Sequence, residues 1–276
     1  MTAAPLTGIR IVCLAINLPG PLAAMRLASL GATVTKVEPP TGDPVEFVSS
    51  EWYAQITANM RVVRIDLKTT DGRAALAAML DEADVLITSF RPSALARLGL
   101  DWPAVSARHP HISQVAIVGY PGADAERPGH DLTYQADSGL LTGEEMPRAQ
   151  FADLAGSERA VSQTLAAVLA LRLQGVPTYS EVSLAAIAHE LGESLRLGVS
   201  GPDGVLGGAL PTYDIYATAD GYIALAALEP HFQSRLADAL DVEVSHADLA
   251  RAFAAHPCAY WKDWADRVGV PLAIVD

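Results

Sequence analysis

The segment GIRIVCLAINLPGPLAAMRLASLGATVTKVE, residues 8–38, gives the clearest indication of the fold. Its apolar run Ile9–Leu14 predicts a short buried strand, and Thr33–Glu38 predicts a second one. Between them, Pro19-Gly20-Pro21 puts proline in the first turn of a helix, where proline is favoured, and Gly31 suits the end of that helix. A strand, a helix and a strand in this order form the building block of a parallel sheet.

The same alternation continues along the chain. Further strands are predicted over Val62–Leu67, Ala83–Thr88 and His111–Gly119, and further helices over Arg73–Glu82, Pro92–Leu98 and Pro103–Arg108. This alternation predicts an α/β domain with a Rossmann-like, doubly wound parallel sheet. The first strand is not followed by the Gly-x-Gly-x-x-Gly fingerprint of dinucleotide-binding domains, so we do not infer NAD or FAD.

The C-terminal part of the chain has a different pattern. A long helix over Ser157–Leu173 and another over Glu181–Leu197 precede a segment rich in glycine. Beyond it, two strand-like runs flank Asp220-Gly221, which is a hairpin turn signal, and Phe232–Leu240 and Trp261–Val268 are helical in pattern. We therefore predict a large domain over residues 1–197, a glycine-rich linker over 198–210 and a second, smaller α+β domain over 211–276.

Composition excludes several classes of partner. The 276 residues carry 19 basic and 32 acidic side chains, which gives a net charge of −13. Binding to nucleic acid without sequence preference and binding to anionic lipid both need a basic face, so neither partner is expected. No apolar run reaches the ~20 residues of a membrane helix, and no signal-peptide pattern opens the chain. We therefore expect a cytoplasmic protein. We also expect no metal site, because no spacing of His or Cys residues resembles a set of metal ligands.

Three ionisable residues stand out because glycine, proline or aromatic residues frame each of them. His130 lies in GHDLTY (residues 129–134), Asp153 in FADLAG (151–156) and Glu229 in LEPHF (228–232). One imidazole and two carboxylates could form an acid/base site if the fold brings them together. Taken singly, each also has a structural interpretation. His130 could be a hydrogen-bonded histidine, Asp153 a helix N-cap before Gly156, and Glu229 a strand end.

In their order and spacing, segments spread over the whole chain resemble the family III CoA-transferases, which also include the α-methylacyl-CoA racemases. The resemblance is carried by residues 18–21, 30–32, 36–38, 66–68, 83–85, 90–92, 97–100, 129–131, 135–136, 138–140, 152–153, 213–214 and 220–221. Transferases of this family usually have an aromatic residue where this chain has His130. Racemases have histidine there and a glutamate in an acid-Pro-x-Phe motif, which Glu229 matches. On those points, and in Pro19-Gly20-Pro21, the chain looks more like a racemase.

The resemblance implies an acyl-CoA racemase that moves the proton on the carbon beside the thioester. His130 and Asp153 would be the bases on the two faces of that carbon, and Glu229 would orient His130. An imidazole has an ordinary pKa of about 6.5 and suits either step near neutral pH, whereas the carboxyl of Asp153 would need burial to raise its pKa. The intermediate is an enolate, and the N–H of Asp131, at the start of a helix, is expected to point at its oxygen.

The resemblance also implies the binding partner, which is an acyl-CoA thioester. CoA enters as part of the substrate, and no tightly bound cofactor is expected. Arg91 and Arg97 match positions near the nucleotide, where guanidinium groups suit phosphates. Asp131 and Tyr134 match positions that line the pantetheine arm. A homodimer is expected, as in the family.

The chain departs from the family pattern at two loops and in length. Pro39 stands where the family often has arginine, and residues 57–60 replace an Asn-Arg-Gly-Lys run. Family members usually continue past the segment matching residues 270–276, so the small domain is expected to be shortened and an interlocked dimer is in question. Two alternatives stay open. One is a CoA-transferase in which Asp153 attacks the thioester to form an anhydride, and the other is a shortened, non-catalytic paralogue that binds a partner.

Overall fold

Six parallel strands form the sheet of the first of two units. The structure, a computed structural model, describes residues 4–275, and the second unit begins at Gly192. The strands of the first unit are β1 (Arg10–Cys13), β2 (Thr33–Glu38), β3 (Arg61–Arg64), β4 (Val85–Thr88), β5 (Ser113–Val118) and β6 (Tyr179–Ser183). Their spatial order is β3-β2-β1-β4-β5-β6, and every pairing is parallel. This is the strand order of a doubly wound, Rossmann-like sheet, so the predicted fold class is confirmed.

Helices cover both faces of this sheet. They are α1 (Pro19–Ser29), α2 (Pro44–Val48), α3 (Ser50–Thr57), α4 (Thr70–Leu80), α5 (Pro92–Leu98), α6 (Trp102–Arg108), α7 (Asp131–Asp137), α8 (Phe151–Gln174) and α9 (Leu184–Leu191), with a 3-10 helix over Gly122–Glu126. Successive side chains of a strand point to opposite faces. Ile11 and Cys13 therefore join the apolar cluster that includes α1 and α8, whereas Val12 and Leu14 join the cluster that includes α4, α5 and α6.

The prediction of a helix over Glu181–Leu197 is wrong in its first part. Residues up to Ser183 form β6, which pairs with β5 along its whole length, and α9 begins only at Leu184. The strand exists because β5 supplies hydrogen-bond partners from a distant part of the chain. The five residues of this segment carry no local sequence pattern that predicts the pairing.

The long helix α8 also begins well before the predicted start at Ser157. It starts at Phe151 and continues through Gly156, a residue that normally weakens a helix. A Cβ atom at Gly156 would lie 2.3 Å from Cδ2 of Leu184, so a larger residue there would displace the end of the Leu184 side chain, which packs against α8. The packing between the two helices therefore outweighs the local preference, and Asp153 lies within α8.

The second unit has α+β architecture. Its elements are α10 (Glu193–Arg196), β7 (Tyr213–Ala217), β8 (Tyr222–Ala226), α11 (Pro230–Leu240), α12 (His246–Phe253), α13 (Cys258–Val268) and β9 (Leu272–Val275). The strands form an antiparallel sheet in the order β7-β8-β9. The predicted hairpin turn at Asp220-Gly221 is confirmed, because Ala217 pairs with Tyr222. The core of this unit includes Trp261, whose indole N–H donates to the carbonyl of Phe253 at 2.7 Å.

The glycine-rich segment 198–210 lies inside the second unit, after α10. Backbone hydrogen bonds close its turns, including one of 2.8 Å from the N–H of Leu206 to the carbonyl of Val199. A Cβ atom at Gly207 would lie 1.7 Å from the carbonyl oxygen of Gly201, so the turn requires glycine there. The division into domains 1–197 and 211–276 joined by a linker concerns independent folding, and it stays a prediction.

Candidate active site

A cavity of about 260 Å³ opens at the carboxyl ends of β1, β4 and β5. The strand order reverses between β1 and β4, and ligands of doubly wound sheets bind at this edge. The walls come from the segments that follow these strands, from the residues before and within α7, and from α8 and α9. The lining residues are Ile16, Asn17, Pro19, Ser89, Phe90, Arg91, Ile117, Val118, Gly119, Ala125, Arg127, Pro128, Gly129, His130, Tyr134, Asp153 and Leu184.

His130 occupies the N-cap position of α7. The Thr133 hydroxyl accepts a hydrogen bond from the His130 N–H at 3.1 Å and donates one to the His130 carbonyl at 2.7 Å, which holds the backbone at the start of the helix. The imidazole is not buried in the core; it is exposed and lines the cavity. His130 can therefore meet a bound ligand.

Asp153 lies in the first turn of α8 and lines the same cavity. Burial, and then the negative charge of Asp131, raise the pKa of its carboxyl from 3.8 to about 7. Near neutral pH both the protonated and the ionised forms are populated. Asp153 needs a raised pKa to act as a base near neutral pH, and its surroundings provide one.

The carboxylate of Asp131 links the first turns of α7 and α8 through hydrogen bonds. It is buried, accepts the backbone N–H of Asp153 at 3.0 Å, and accepts a second hydrogen bond from the side-chain amide of Gln135. The amide of Gln135 also donates to the carbonyl of Ala149 at 3.2 Å. Sequence reasoning considered Asp131 for its N–H and for pantetheine binding, and missed this contact of its side chain. No local signal predicts it, because the partner belongs to another helix.

Glu229 belongs to the second unit, where it is the N-cap residue of α11 and is exposed. It lies three residues after the end of β8 and directly before Pro230, so it begins a helix and does not end a strand. Its predicted pairing with His130 stays a prediction.

Arg91 and Arg97 share an acidic neighbour, Glu126. Arg91 is the N-cap residue of α5 and lines the cavity, whereas Arg97 is exposed on the last turn of that helix. The carboxylate of Glu126 accepts hydrogen bonds from the N–H and hydroxyl of Ser93, at 2.6 and 2.9 Å, and these bonds, with the charges of both arginines, lower its pKa. Although the two arginines lie at opposite ends of α5, the charges of both act on Glu126, and their contact with CoA phosphates stays a prediction.

Asn17 and Arg127 line the cavity but were not among the predicted site residues. Asn17 has a positive φ of 66°, a conformation that asparagine tolerates better than most residues. Arg127 stacks on the ring of Tyr120 at 4.2 Å and lies 3.4 Å from a carboxylate oxygen of Asp137. The only sequence signal for Arg127 was its position just before Pro128, next to the histidine motif.

A buried ionic network supports the loop that carries Asn17. The Lys36 ammonium contacts Glu38 Oε1 at 2.6 Å and Asp43 Oδ2 at 2.7 Å, and these three side chains are at most 1% exposed. Tyr53 donates to Glu38 at 2.8 Å. The other oxygen of Asp43 accepts the N–H of Asn17 at 3.1 Å. The network therefore fixes the backbone of one wall of the cavity.

Two kinds of feature are absent from residues 4–275. No helix there is long and apolar enough to cross a membrane. No group of three or more His, Cys, Asp or Glu side chains in that range could hold a metal ion. The expectations of no metal and of no tightly bound cofactor stay predictions.

Residues 6–276 match the model of CoA-transferase family III. With its doubly wound sheet and a cavity that carries the histidine and aspartate of the matching motifs, the chain belongs to CoA-transferase family III. The sequence resemblance is thereby confirmed, as is the expectation that the chain belongs to a family of enzymes.

Three curated relatives show the range of named activities. A probable fatty acyl-CoA transferase of Mycobacterium tuberculosis is 29% identical over 84% of this chain and 68% of its own length. A succinate–glutarate CoA-transferase of Agrobacterium fabrum is 30% identical over 80% and 63%. The α-methylacyl-CoA racemase of Mus musculus is 31% identical over 86% and 65%. This chain therefore spans about two thirds of the length of these relatives.

A solved structure supports the same assignment. The crystal structure of the Mycobacterium tuberculosis protein has a TM-score of 0.83 to this chain at 26% sequence identity. The match covers 99% of this chain and 83% of that one. Because the relatives include both transferases and a racemase, family membership leaves the particular reaction open.

Proposed function

We propose that this chain racemises 2-methylacyl-CoA thioesters by moving the α-proton between His130 and Asp153. The observation that carries the proposal is that both side chains line one cavity, in which the pKa of Asp153 is raised to about 7. A carboxyl group with that pKa can both accept and return a proton at neutral pH. The 31% identity to a protein named α-methylacyl-CoA racemase also supports it.

In this reaction one base removes the α-proton and the other returns a proton to the opposite face. The electron pair of the broken C–H bond moves onto the thioester oxygen, giving an enolate, and then forms the new C–H bond. Each turnover exchanges the protonation states of His130 and Asp153, so the product form of the enzyme is ready for the reverse reaction. The N–H of Asp131, in the first turn of α7, would donate to the enolate oxygen, and Glu229 would stabilise charged His130.

CoA takes part as a portion of the substrate. Arg91 and Arg97 would bind its phosphates, because guanidinium groups match phosphate oxygens with paired donors. Asp131 and Tyr134 would line the path of the pantetheine arm. We also propose that the protein forms a homodimer and is cytoplasmic.

A CoA-transferase is the second candidate, and the position of Asp153 favours it as well. A carboxyl group that lines the cavity could attack the thioester carbonyl, release CoA as a thiol and leave a mixed anhydride on Asp153. The acceptor carboxylate would then displace the donor carboxylate from the anhydride, and the CoA thiolate would attack the acceptor acyl carbon of the new anhydride, which gives the acceptor thioester and frees Asp153. Two of the relatives are named as transferases of this general type.

The two reactions differ in their need for an acceptor acid. A 2-methylacyl-CoA incubated with the protein in deuterated water, without any acceptor, should gain deuterium at the α-carbon, measured by mass spectrometry. Asp153→Asn and His130→Gln should each slow incorporation by roughly 10²- to 10⁴-fold, the usual contribution of a general acid or base. The exposed residues Asp124 and His111 supply matched controls, because neither lines the cavity.

Asp124→Asn and His111→Gln should keep the wild-type rate of exchange. CoA exchange that requires an acceptor, with no α-deuterium and with an acyl adduct on Asp153 trapped by hydroxylamine, would establish the transferase instead.

A further inference from the structure

The hydroxyl group of Tyr134 is a hydrogen-bond donor without a protein partner. Tyr134 is 3% exposed, yet its hydroxyl donates to no other residue in the stretch 4–275. The two other buried tyrosines there behave differently, since Tyr120 donates to Asp137 at 2.8 Å and Tyr216 to the carbonyl of Pro211 at 2.6 Å. The Tyr134 oxygen is not sealed in the interior as the unpartnered Oγ1 of Thr88 is, and Tyr134 lines the cavity, so its hydroxyl is free to donate to a bound ligand.

Two glycines create the space that this phenol occupies. A Cβ atom at Gly119 would lie 2.4 Å from the Tyr134 oxygen, and one at Gly129 would lie 2.4 Å from ring carbon Cε1. The ring of Tyr120 packs against that of Tyr134 in a T-shaped arrangement, with ring centroids 5.3 Å apart. Gly119, Gly129 and Tyr134 all line the cavity, so the hydroxyl is held rigidly at its wall.

The surroundings keep the proton on this hydroxyl. Burial, followed by the negative charge of Asp153, raises the pKa of Tyr134 to about 12. The group therefore acts as a donor rather than as a base throughout the neutral range. Tyr134 and Asp153 line the same cavity, so a bound ligand can meet both the hydroxyl and the carboxyl that would move the proton.

We propose that the Tyr134 hydroxyl donates a hydrogen bond to the carbonyl oxygen of the bound acyl thioester, in addition to the N–H of Asp131. The bond strengthens as the oxygen gains negative charge in the enolate, so Tyr134 contacts the reacting atoms and does more than line the pantetheine arm. No proton leaves Tyr134, because its role is hydrogen bonding alone. The inference rests on the proposed racemisation for its catalytic consequence, but carbonyl binding itself can be measured without turnover.

The kinetic test is Tyr134→Phe. Loss of one donor to a developing oxyanion typically slows kcat by roughly 10²- to 10³-fold, and we expect a fall of that order in α-deuterium exchange, with KM rising by no more than about 10-fold for loss of the ground-state hydrogen bond. The melting temperature should not fall, because the hydroxyl has no protein partner to lose. Tyr120→Phe is the matched control, since it removes a hydrogen bond to Asp137, and it should lower the melting temperature while exchange continues. A Tyr134→Phe rate within twofold of wild type would overturn the proposal.

The binding test uses two CoA analogues that cannot transfer their acyl group, and it measures equilibrium affinity rather than turnover. In one, a methylene group replaces the thioester sulfur and the carbonyl is retained; in the other, a thioether, the carbonyl is absent. Tyr134→Phe should weaken the ketone about 3- to 10-fold, as expected for one hydrogen bond, and leave the thioether unchanged. Equal effects on both analogues would refute carbonyl binding. If wild-type protein fails to exchange the α-proton but the ketone effect appears, racemisation fails and the role of Tyr134 stands.

Discussion

The backbone N–H of Asp153 donates a hydrogen bond of 3.0 Å to the carboxylate of Asp131, 22 residues earlier in the chain. The two residues lie in the first turns of different helices, α8 and α7. The same buried carboxylate accepts the side-chain amide of Gln135. Asp131 thus orients the segment that carries Asp153, and its charge contributes to the raised pKa of Asp153, after the larger effect of burial.

Asp131→Asn should lower the pKa of Asp153 from about 7, because it removes a nearby negative charge and keeps the shape of the side chain. A two-base racemase is active when His130 and Asp153 together hold one proton. Its rate should therefore depend on pH as a bell-shaped curve, and the curve should be the same for both directions of racemisation. In the variant, the side of the pH–rate curve that reflects the ionisation of Asp153 should move to lower pH. The measurement is kcat/KM for α-deuterium exchange as a function of pH.

Glu144→Gln is the control for that shift, because it removes one negative charge from an exposed loop residue outside the cavity. Its pH curve should match that of the wild type. A curve for Asp131→Asn that also matches the wild type would show that Asp131 does not tune Asp153.

Asp153→Asn should stabilise the fold at alkaline pH. The folded-state pKa of about 7 lies above the ordinary 3.8, so the folded state holds this proton more tightly than the unfolded state. Wild-type stability therefore falls as pH rises from about 4 to about 7, and asparagine removes that loss. We expect the variant to be no more stable than wild type near pH 4 and more stable by roughly 1 to 4 kcal/mol at pH 8.

Urea unfolding at several pH values measures this difference. Asp124→Asn, at an exposed position, should show no comparable dependence on pH. An Asp153→Asn variant that is less stable than wild type at pH 8 would contradict the prediction.

Lys36→Met should destabilise the first unit strongly. The Lys36 ammonium pairs with two carboxylates that are buried with it, and its removal leaves Asp43 without a cationic partner and Glu38 with only the more distant Arg64, at 3.5 Å. Such changes typically lower the free energy of unfolding by about 3 to 5 kcal/mol. Arg26→Met breaks a pair with Glu158 whose side chains are 58% and 55% exposed, and it should change stability by less than about 1 kcal/mol. Similar urea midpoints for the two variants would contradict the prediction.

Asn17→Gly should be tolerated, whereas Asn17→Val should not. Asn17 has a φ of 66°, which glycine adopts freely and a β-branched residue rarely adopts. We expect the valine variant to lose about 1 to 3 kcal/mol of stability and the glycine variant less than about 1 kcal/mol. Asn59→Val, at an exposed residue outside the left-handed region, is the control and should resemble wild type. Thermal melts measure all three, and equal losses for valine and glycine at position 17 would remove backbone strain as the explanation.

The sequence alone determined the repeating strands and helices of the first unit, the hairpin at Asp220-Gly221 and the position of His130 at a helix start. These features depend on local properties, namely apolar periodicity, proline and glycine at helix ends, and turn residues. The ordered motifs also determined the family, and with it the choice of His130 and Asp153 as candidates.

Three features depend on the folded structure: Tyr179–Ser183 pairs with β5, α8 begins before Gly156, and particular groups surround Asp153 and Tyr134. The Asp131 side chain meets an N–H of another helix, and the phenol of Tyr134 fits against the backbone at the end of β5. Each of these contacts joins segments that are distant in the chain. Their stability comes from hydrogen bonding and close packing between elements, which override local preferences and leave no periodic pattern in the residues themselves.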